Sequence, residues 1–374
     1  MQYRKLGNTG LEVSALGFGA LRLPMEEEHV KSREAIGIIH RAFELGVKLI
    51  DSAVGYCNQE SEITVGKALK GWRDKIVLST KNHYKGDDPE EWRAFLDQSL
   101  RRLDVDYVDI YNFHDFRLEL YERWRKLARS PLDEMRKAKE DGLVKHIGFS
   151  CHDTPANMIE LLDKGLFESM ILQYNLLDTA NERVIAHAKA KGIGIIVMGP
   201  VGGGRLAAPS QAIMKMIDKP VASTAELALR FVLSNIGVSA ALSGMNTNQM
   251  VEENTATASI EKPLTPEERR QILAALEEKK SLAKLYCTGC GYCMPCPNGV
   301  DIPRNFELMN CYRLYGLEEY AKNQYMRLGQ KMVEDEVKPA WAEACQECGE
   351  CEEKCPQNIK VREQLKEAHM LLKT

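Results

Sequence analysis

No apolar stretch in the chain approaches the roughly 20 residues that a membrane-spanning helix needs. The amino-terminus, Met1-Gln2-Tyr3-Arg4-Lys5, carries no apolar signal core either, so a cytoplasmic protein is expected. Charge of one sign is not in excess. The 50 Lys and Arg against 54 Asp and Glu leave a net charge of −4, which gives no reason to expect nucleic acid or an anionic membrane surface as partner. Low-complexity segments are absent. A glycine-rich dinucleotide fingerprint is missing too, because Gly17-Phe18-Gly19 is not followed by a third Gly at the required offset. That argues against an open doubly wound sheet. What remains is an ordinary globular composition, 44% hydrophobic and 28% charged over 374 residues, long enough for two or three domains.

Cysteine breaks the pattern. The chain has 11, and in a cytosolic setting such a number points to metal or redox chemistry and away from structural disulfides. Cys287, Cys290, Cys293 and Cys296 form one run that ends at Pro297, and Cys345, Cys348, Cys351 and Cys355 form another that ends at Pro356. The second run reads Cys-x2-Cys-x2-Cys-x3-Cys-Pro, the spacing of ferredoxins that carry two cubane clusters. The first has one residue fewer before its last cysteine. Three cysteines two residues apart can wrap a tight loop around three corners of a cube, but a short loop cannot close over the fourth. The fourth ligand then arrives from the partner run. Two 4Fe–4S clusters are therefore expected, one on Cys287, Cys290, Cys293 and Cys355, the other on Cys345, Cys348, Cys351 and Cys296. Zinc is the alternative, since paired Cys-x2-Cys is also zinc spacing. Two runs of four with a trailing Pro favour iron–sulfur. Cys57, Cys151 and Cys311 lie outside the runs and are expected to be small buried hydrophobes.

From residue 12 to about 260, short apolar runs alternate with amphipathic helical patterns. The runs begin with Val13-Ser-Ala-Leu-Gly-Phe, Val47-Lys-Leu-Ile, Lys75-Ile-Val-Leu-Ser and Tyr107-Val-Asp-Ile-Tyr. They continue with His146-Ile-Gly-Phe-Ser, Met170-Ile-Leu-Gln-Tyr, Gly194-Ile-Ile-Val-Met and Val238-Ser-Ala-Ala-Leu. Helical patterns such as Ser32 to Leu45 and Pro89 to Leu103 lie between them. Eight strand–helix units in about 250 residues predict an α/β fold, a (β/α)8 TIM barrel. Asn8-Thr-Gly supplies the turn of a hairpin ahead of the first strand. Thr265 followed by Glu268 reads as a capping box opening a helix towards Ala283. Residues 297–344 read as helices, unlike the compact sheet of a minimal ferredoxin, and the tail from Val361 as a further amphipathic helix. The expected domains are a barrel over 1–262, a helical connector over 263–286, and a mainly helical, ferredoxin-like iron–sulfur domain over 287–374.

Three polar residues end three successive barrel strands, where active sites lie. Asp51 ends the second, Lys81 the third and His114 the fourth. Tyr56 follows on the next loop, able to lean over the same mouth. This set, with the Gly17-Phe-Gly opening, resembles the aldo-keto reductase family over about 260 residues. The cysteine-rich extension resembles the iron–sulfur branch of that family. The resemblance implies NAD(P)H-dependent reduction of a carbonyl, or oxidation of an alcohol in reverse, on a small molecule. Hydride transfer to a carbonyl builds an alkoxide that needs a proton. A tyrosine holds its proton at neutral pH, and a nearby lysine ammonium stabilises the phenolate left behind, so Tyr56 becomes a better acid. Asp51 would keep Lys81 charged and in place, and His114 would orient the carbonyl oxygen. Each residue alone has a plainer explanation, as a helix cap, a solvated strand end or a hydrogen-bonded imidazole.

The same resemblance assigns Ser150 and Gln173 to the nicotinamide carboxamide and Asn254 to the adenine. Cys151 stands where the family usually has Asn, and Met198 where an aromatic ring usually stacks. The positions that grip a 2′-phosphate with Lys or Arg fall on Gly244 and Met250, so NADP(H) and NAD(H) both stay open. Gly202-Gly-Gly and the stretch from Gly244 follow strands seven and eight, where barrels bind phosphate, although glycines there also serve plain loops. A nicotinamide moves two electrons and each cluster one. A flavin would ordinarily split the pair; no flavin motif is visible, and a flavin stays open as a further cofactor. The alternative function is electron transfer or redox sensing on a barrel with little carbonyl-reducing activity, with a redox protein as candidate partner. In a third, the clusters only brace their domain.

Overall fold

The computed structural model describes the chain apart from residues 285, 286, 288–290, 334, 335, 356, 357 and 374 and the side chains of 280–284. Contacts divide it into two units, Met1–Gly203 with Ala228–Leu264, and Gly204–Leu227 with Thr265–Thr374. No helix among the described residues is long and apolar enough to cross a membrane.

The first unit opens with an antiparallel hairpin, β1 (Tyr3–Lys5) and β2 (Glu12–Ser14). Eight parallel strands then close into a barrel. In chain order they are β3 (Leu16–Gly19), then, after a small hairpin of β4 (Met25–Glu26) and β5 (His29–Val30), β6 (Leu49–Asp51), β7 (Val77–Asn82), β8 (Val108–Phe113), β9 (Val144–Cys151), β10 (Ser169–Gln173), β11 (Gly194–Met198) and β12 (Ala240–Ser243). Spatial order follows chain order, and β12 pairs β3 to complete the ring. The connecting helices include α1 (Ser32–Glu44), α2 (Ser61–Leu69), α3 (Pro89–Leu103), α4 (Leu118–Trp124), α5 (Pro131–Glu140), α6 (Pro155–Asp163) and α7 (Glu182–Ala190). After β11 come α8 (Gln211–Met214) and α9 (Thr224–Leu233), and after β12 comes α10 (Asn248–Ala258).

The expected first strand, Val13 to Phe18, is split. Val13 and Ser14 belong to the hairpin, and the barrel strand starts at Leu16. The Ser14 hydroxyl causes the break: it donates to Leu16 O at 2.6 Å and accepts from Lys48 N–H at 2.8 Å, turning the chain from one sheet into the other. Leu6 and Val13 of the hairpin then join Leu49, Ile110, Ile171, Ile196, Ala240 and Leu242 in one buried cluster. Burial of each such branched side chain stabilises the fold by about 1.5–3 kcal/mol. One end of the barrel is thereby filled with hydrocarbon, which leaves the strands' carboxyl ends for chemistry.

In the second unit the capping box forms as expected. Thr265 N–H donates to Glu268 Oε2 at 2.7 Å and Glu268 N–H to Thr265 Oγ1 at 3.2 Å, opening α11 (Pro266–Lys284). Next come α12 (Ile302–Arg313) and α13 (Glu318–Gly329), a two-stranded hairpin of β13 (Met332–Val333) and β14 (Glu336–Val337), then α14 (Glu350–Glu353) and α15 (Val361–Leu372). Val361, Leu365, Ala368 and Leu372 form the buried stripe of α15. Tyr325 joins α13 to α15 through a 2.8 Å hydrogen bond to His369 Nδ1. Residues 204–227, which the strand–helix rhythm places with the barrel, group here. Ser210 Oγ donates to Tyr315 O, Lys219 pairs with Glu268 at 2.9 Å, and Gln271 donates to Asp218 at 3.1 Å.

Candidate active site and cluster cavity

Asp51, Lys81 and His114 lie at or just past the carboxyl ends of β6, β7 and β8, and Tyr56 on the loop that follows β6. Lys81 is almost wholly buried. Its ammonium donates to Asp51 Oδ2 and, at 2.8 Å, to Ser52 O. Its Nζ lies 4.8 Å from the Tyr56 ring centroid. The Tyr56 and His114 rings meet edge to face with centroids 6.1 Å apart. All four predicted residues are thus brought to one mouth. Burial disfavours the Lys81 charge, but Asp51 and the Tyr56 hydroxyl outweigh it, so Lys81 holds its proton more tightly than a free lysine. His114 goes the other way. Burial, then the charges of Lys81 and Lys85, lower its pKa to about 4. Its imidazole is neutral at pH 7.

A stability consequence follows from His114. Between pH 6.5 and about 4 the unfolded chain protonates this imidazole and the folded barrel does not. Folding stability should therefore fall as the pH drops through that window. In thermal melts at stepped pH, His114→Asn should lose less stability over the window than the parent; equal losses would remove this account of His114.

Tyr56 is set by a strained turn. Cys57, Asn58 and Gln59 have φ of 50°, 52° and 70°, a left-handed run that side chains disfavour. Tethers hold it. Asn58 Nδ2 donates to Glu28 O at 2.8 Å, Arg102 Nη2 to Gln59 Oε1 at 3.2 Å, and Val30 N–H to the Glu60 carboxylate at 2.7 Å. Cys57 is only half-buried on this turn, with its thiol 3.3 Å from Leu21 O, and so departs from the buried hydrophobe expected. Cys151 and Cys311 are buried.

Sequence reasoning passed over the layer beneath. Ser79 Oγ donates to Asp51 Oδ1 at 2.8 Å, and Asn112 Nδ2 donates to Ser79 Oγ and to Thr80 O, each at 3.0 Å. Strand periodicity carries the signal, since Ser79 is two residues before Lys81 and Asn112 two before His114. Gly148 must stay bare there, because a Cβ would sit 2.3 Å from Asn112 Oδ1. A second buried group, Glu62, accepts from Thr80 Oγ1 at 2.7 Å and lies 3.7 Å from Arg102.

The predicted cofactor residues spread around the mouth. Ser150, on β9, accepts from Asp115 N–H at 2.9 Å and keeps its hydroxyl proton to donate. Gln173 ends β10, its carboxamide against Gly199, where a Cβ would meet Oε1 at 2.6 Å. Gly244 follows β12, and Asn254, on α10, donates to Ser243 Oγ at 3.2 Å. Cys151, Met198 and Met250 leave no charged or aromatic group at their positions. The donors and acceptors of Ser150 and Gln173, with the glycine loops after β11 and β12, are of the chemistry a nicotinamide dinucleotide needs.

In the second unit one cavity is lined by Cys293, Cys296, Cys345, Cys348 and Cys351, with Arg362, Lys354 and Leu365. Cys345, Cys348, Cys351 and Cys296 are the set predicted for one cluster, and Cys293 also borders this space. Among the described residues no three such donors converge as ligands of a single ion. A cubane takes one thiolate at each iron, so its sulfurs must surround a cavity, as these do. Of the other predicted set, Cys287 and Cys355 are half-buried, and Cys290 lies outside the described residues.

The closed eight-stranded barrel, with a Lys–Asp pair, a tyrosine and a histidine at its mouth, is that of an oxidoreductase. Residues 15–277 match the aldo/keto reductase family and the chain belongs to it; residues 286–359 match a 4Fe–4S dicluster domain. L-Galactose dehydrogenase of Arabidopsis thaliana is 29% identical over 310 residues, covering 75% of this chain and 96% of that one. The oxidoreductase YqkF of Bacillus subtilis is 26% identical over 305 residues, covering 73% and 95%. Among solved structures, aldo-keto reductase AKR11C1 from Bacillus halodurans (holo form) superposes with a TM-score of 0.64 at 28% identity, covering 74% of this chain and 96% of that one.

Proposed function

We propose that the barrel reduces a small-molecule carbonyl, or oxidises the alcohol in reverse, with NADH or NADPH. The observation that carries this is the buried Lys81 ammonium held between Asp51 and Tyr56 with neutral His114 alongside. When bound, the nicotinamide supplies or accepts the hydride. Tyr56 gives the proton to the carbonyl oxygen, and the Lys81 ammonium stabilises the phenolate that remains. Asp51 keeps that ammonium charged. His114, neutral, donates a hydrogen bond that orients the same oxygen. Ser150 and Gln173 hold the carboxamide, and Asn254 the adenine. One relative is named an L-galactose dehydrogenase, which supports alcohol–carbonyl chemistry.

The cysteine-rich unit would hold two 4Fe–4S clusters, one on Cys345, Cys348, Cys351 and Cys296, the other on Cys287, Cys290, Cys293 and Cys355. Bound there, they supply one-electron carriers, and a redox protein is the natural partner. Anaerobically purified protein should contain about eight iron and eight sulfide per chain. Stoichiometric zinc without iron, in protein made with iron in excess, would overturn the assignment. Titrating that protein with NADH and NADPH, followed by visible absorbance, tests the whole proposal. A nicotinamide that binds, with turnover of a carbonyl, supports the reductase. Cluster reduction without any carbonyl turnover would favour an electron-transfer or sensing protein.

A further inference from the structure

One cation at the barrel mouth has no part in the tetrad. Arg22 ends the short helical turn Ala20–Arg22 that follows β3. Its side chain is exposed and has no carboxylate partner among the described residues. It reaches across two glycine segments far away in sequence. Nη2 donates to Gly203 O at 2.9 Å. The stem lies against Gly244, where a Cβ would sit 3.1–3.3 Å from Arg22 Cδ, Cβ and Cγ. Gly203 follows β11 and Gly244 follows β12, the two strands whose loops form the phosphate quadrant of a barrel.

The surroundings suit an anion. Gly203 has φ of 65°, a left-handed conformation that glycine reaches without strain and that keeps side chains out of the way. The Gly244 loop leads into α10, whose amino-terminus is capped by Thr247 and has no acidic residue in its first turn. Helix amino-termini favour negative charge. Arg22 uses one of its five N–H donors on Gly203, which fixes the guanidinium and leaves donors in a planar fork that matches phosphate.

We propose that Arg22 grips a phosphate of the dinucleotide across Gly203 and Gly244, supplying from the β3 loop the positive charge that the Gly244 and Met250 positions lack. The inference rests on the nicotinamide reading above. It concerns an affinity and a choice between cofactors, whereas Tyr56, Lys81 and Asp51 concern the proton.

Fluorescence titration of the cluster-loaded full chain with NADPH and with NADH tests it, in the parent, Arg22→Gln and Arg22→Lys. Arg22→Gln should weaken binding about ten-fold or more at low salt and flatten the salt dependence. Arg22→Lys should recover part of the loss. An equal loss for both nucleotides identifies the pyrophosphate; a loss confined to NADPH identifies the 2′-phosphate. Parent-like binding of both by Arg22→Gln, with normal salt dependence, would overturn the inference and leave the nicotinamide proposal standing. A parent that binds neither nucleotide would overturn both. Arg22 is exposed, so its replacement leaves the core intact, and circular dichroism checks this.

Discussion

Tyr56→Phe should lower carbonyl reduction by about 10²–10⁴-fold, the usual worth of a positioned general acid, while nicotinamide binding stays within about two-fold. The variant keeps the ring and loses one oxygen, so the edge-to-face contact with His114 and the ring face towards Lys81 both survive. The strained turn at Cys57 to Gln59 keeps its anchors, because Asn58, Gln59 and Glu60 make them with their own side chains. What disappears is the phenol proton beside the Lys81 ammonium, and with it the route by which the alkoxide is neutralised. Single-turnover measurements with pre-bound nucleotide separate the two effects: the hydride step should slow and the binding phase should not. A variant with parent-like turnover on every carbonyl the parent reduces would remove Tyr56 from the chemistry.

The sequence made the tetrad legible because it is a local signal repeated on a regular scaffold. Asp51, Lys81 and His114 each close an apolar run, and the carboxyl ends of barrel strands are where a polar residue meets the mouth on the regular scaffold. The supports beneath them were hidden for a related reason. Ser79 and Asn112 look like ordinary interruptions of an apolar run, and only the ring closure through β6, β7 and β8 sets Asn112, Ser79 and Asp51 in one hydrogen-bonded line. Arg22 was hidden more deeply. It is an exposed arginine in a loop, and nothing local links position 22 to 203 and 244, because the contact exists only once β12 pairs with β3. The break at Ser14 shows the same limit at small scale. Val13 to Phe18 is a continuous strand by pattern, and a hydroxyl bridging Leu16 O and Lys48 N divides it. The grouping of residues 204–227 with the second unit also depends on partners distant in sequence, such as Tyr315 and Glu268.

Cys296→Ser should cost the protein the cluster held by Cys345, Cys348 and Cys351, not the one nearest to it in sequence. The three cysteines of the second run sit two residues apart and can reach three corners of a cube; the fourth must come from outside their loop. Cys296 lines the same cavity as these three, beside Pro297 and Val300, whereas Cys355 is not among its lining residues. Iron analysis of double variants reads the pairing without resolving either cluster. Cys296→Ser should retain about four of eight iron. Adding Cys348→Ser should remove little more, because both changes strike one cluster. Adding Cys287→Ser should remove nearly all the rest, because it strikes the other. Cys355→Ser should show the mirror pattern, tolerant of Cys287→Ser and sensitive to Cys348→Ser. Two mutations on one unit fail to add, and two on separate units add. Cys293 also borders the cavity, so the competing arrangement is specific: the first run would keep Cys296 for its own cube. In that case Cys296→Ser would be silent on top of Cys287→Ser and additive with Cys348→Ser, and the interlocked folding of the two runs would be wrong even with both clusters present.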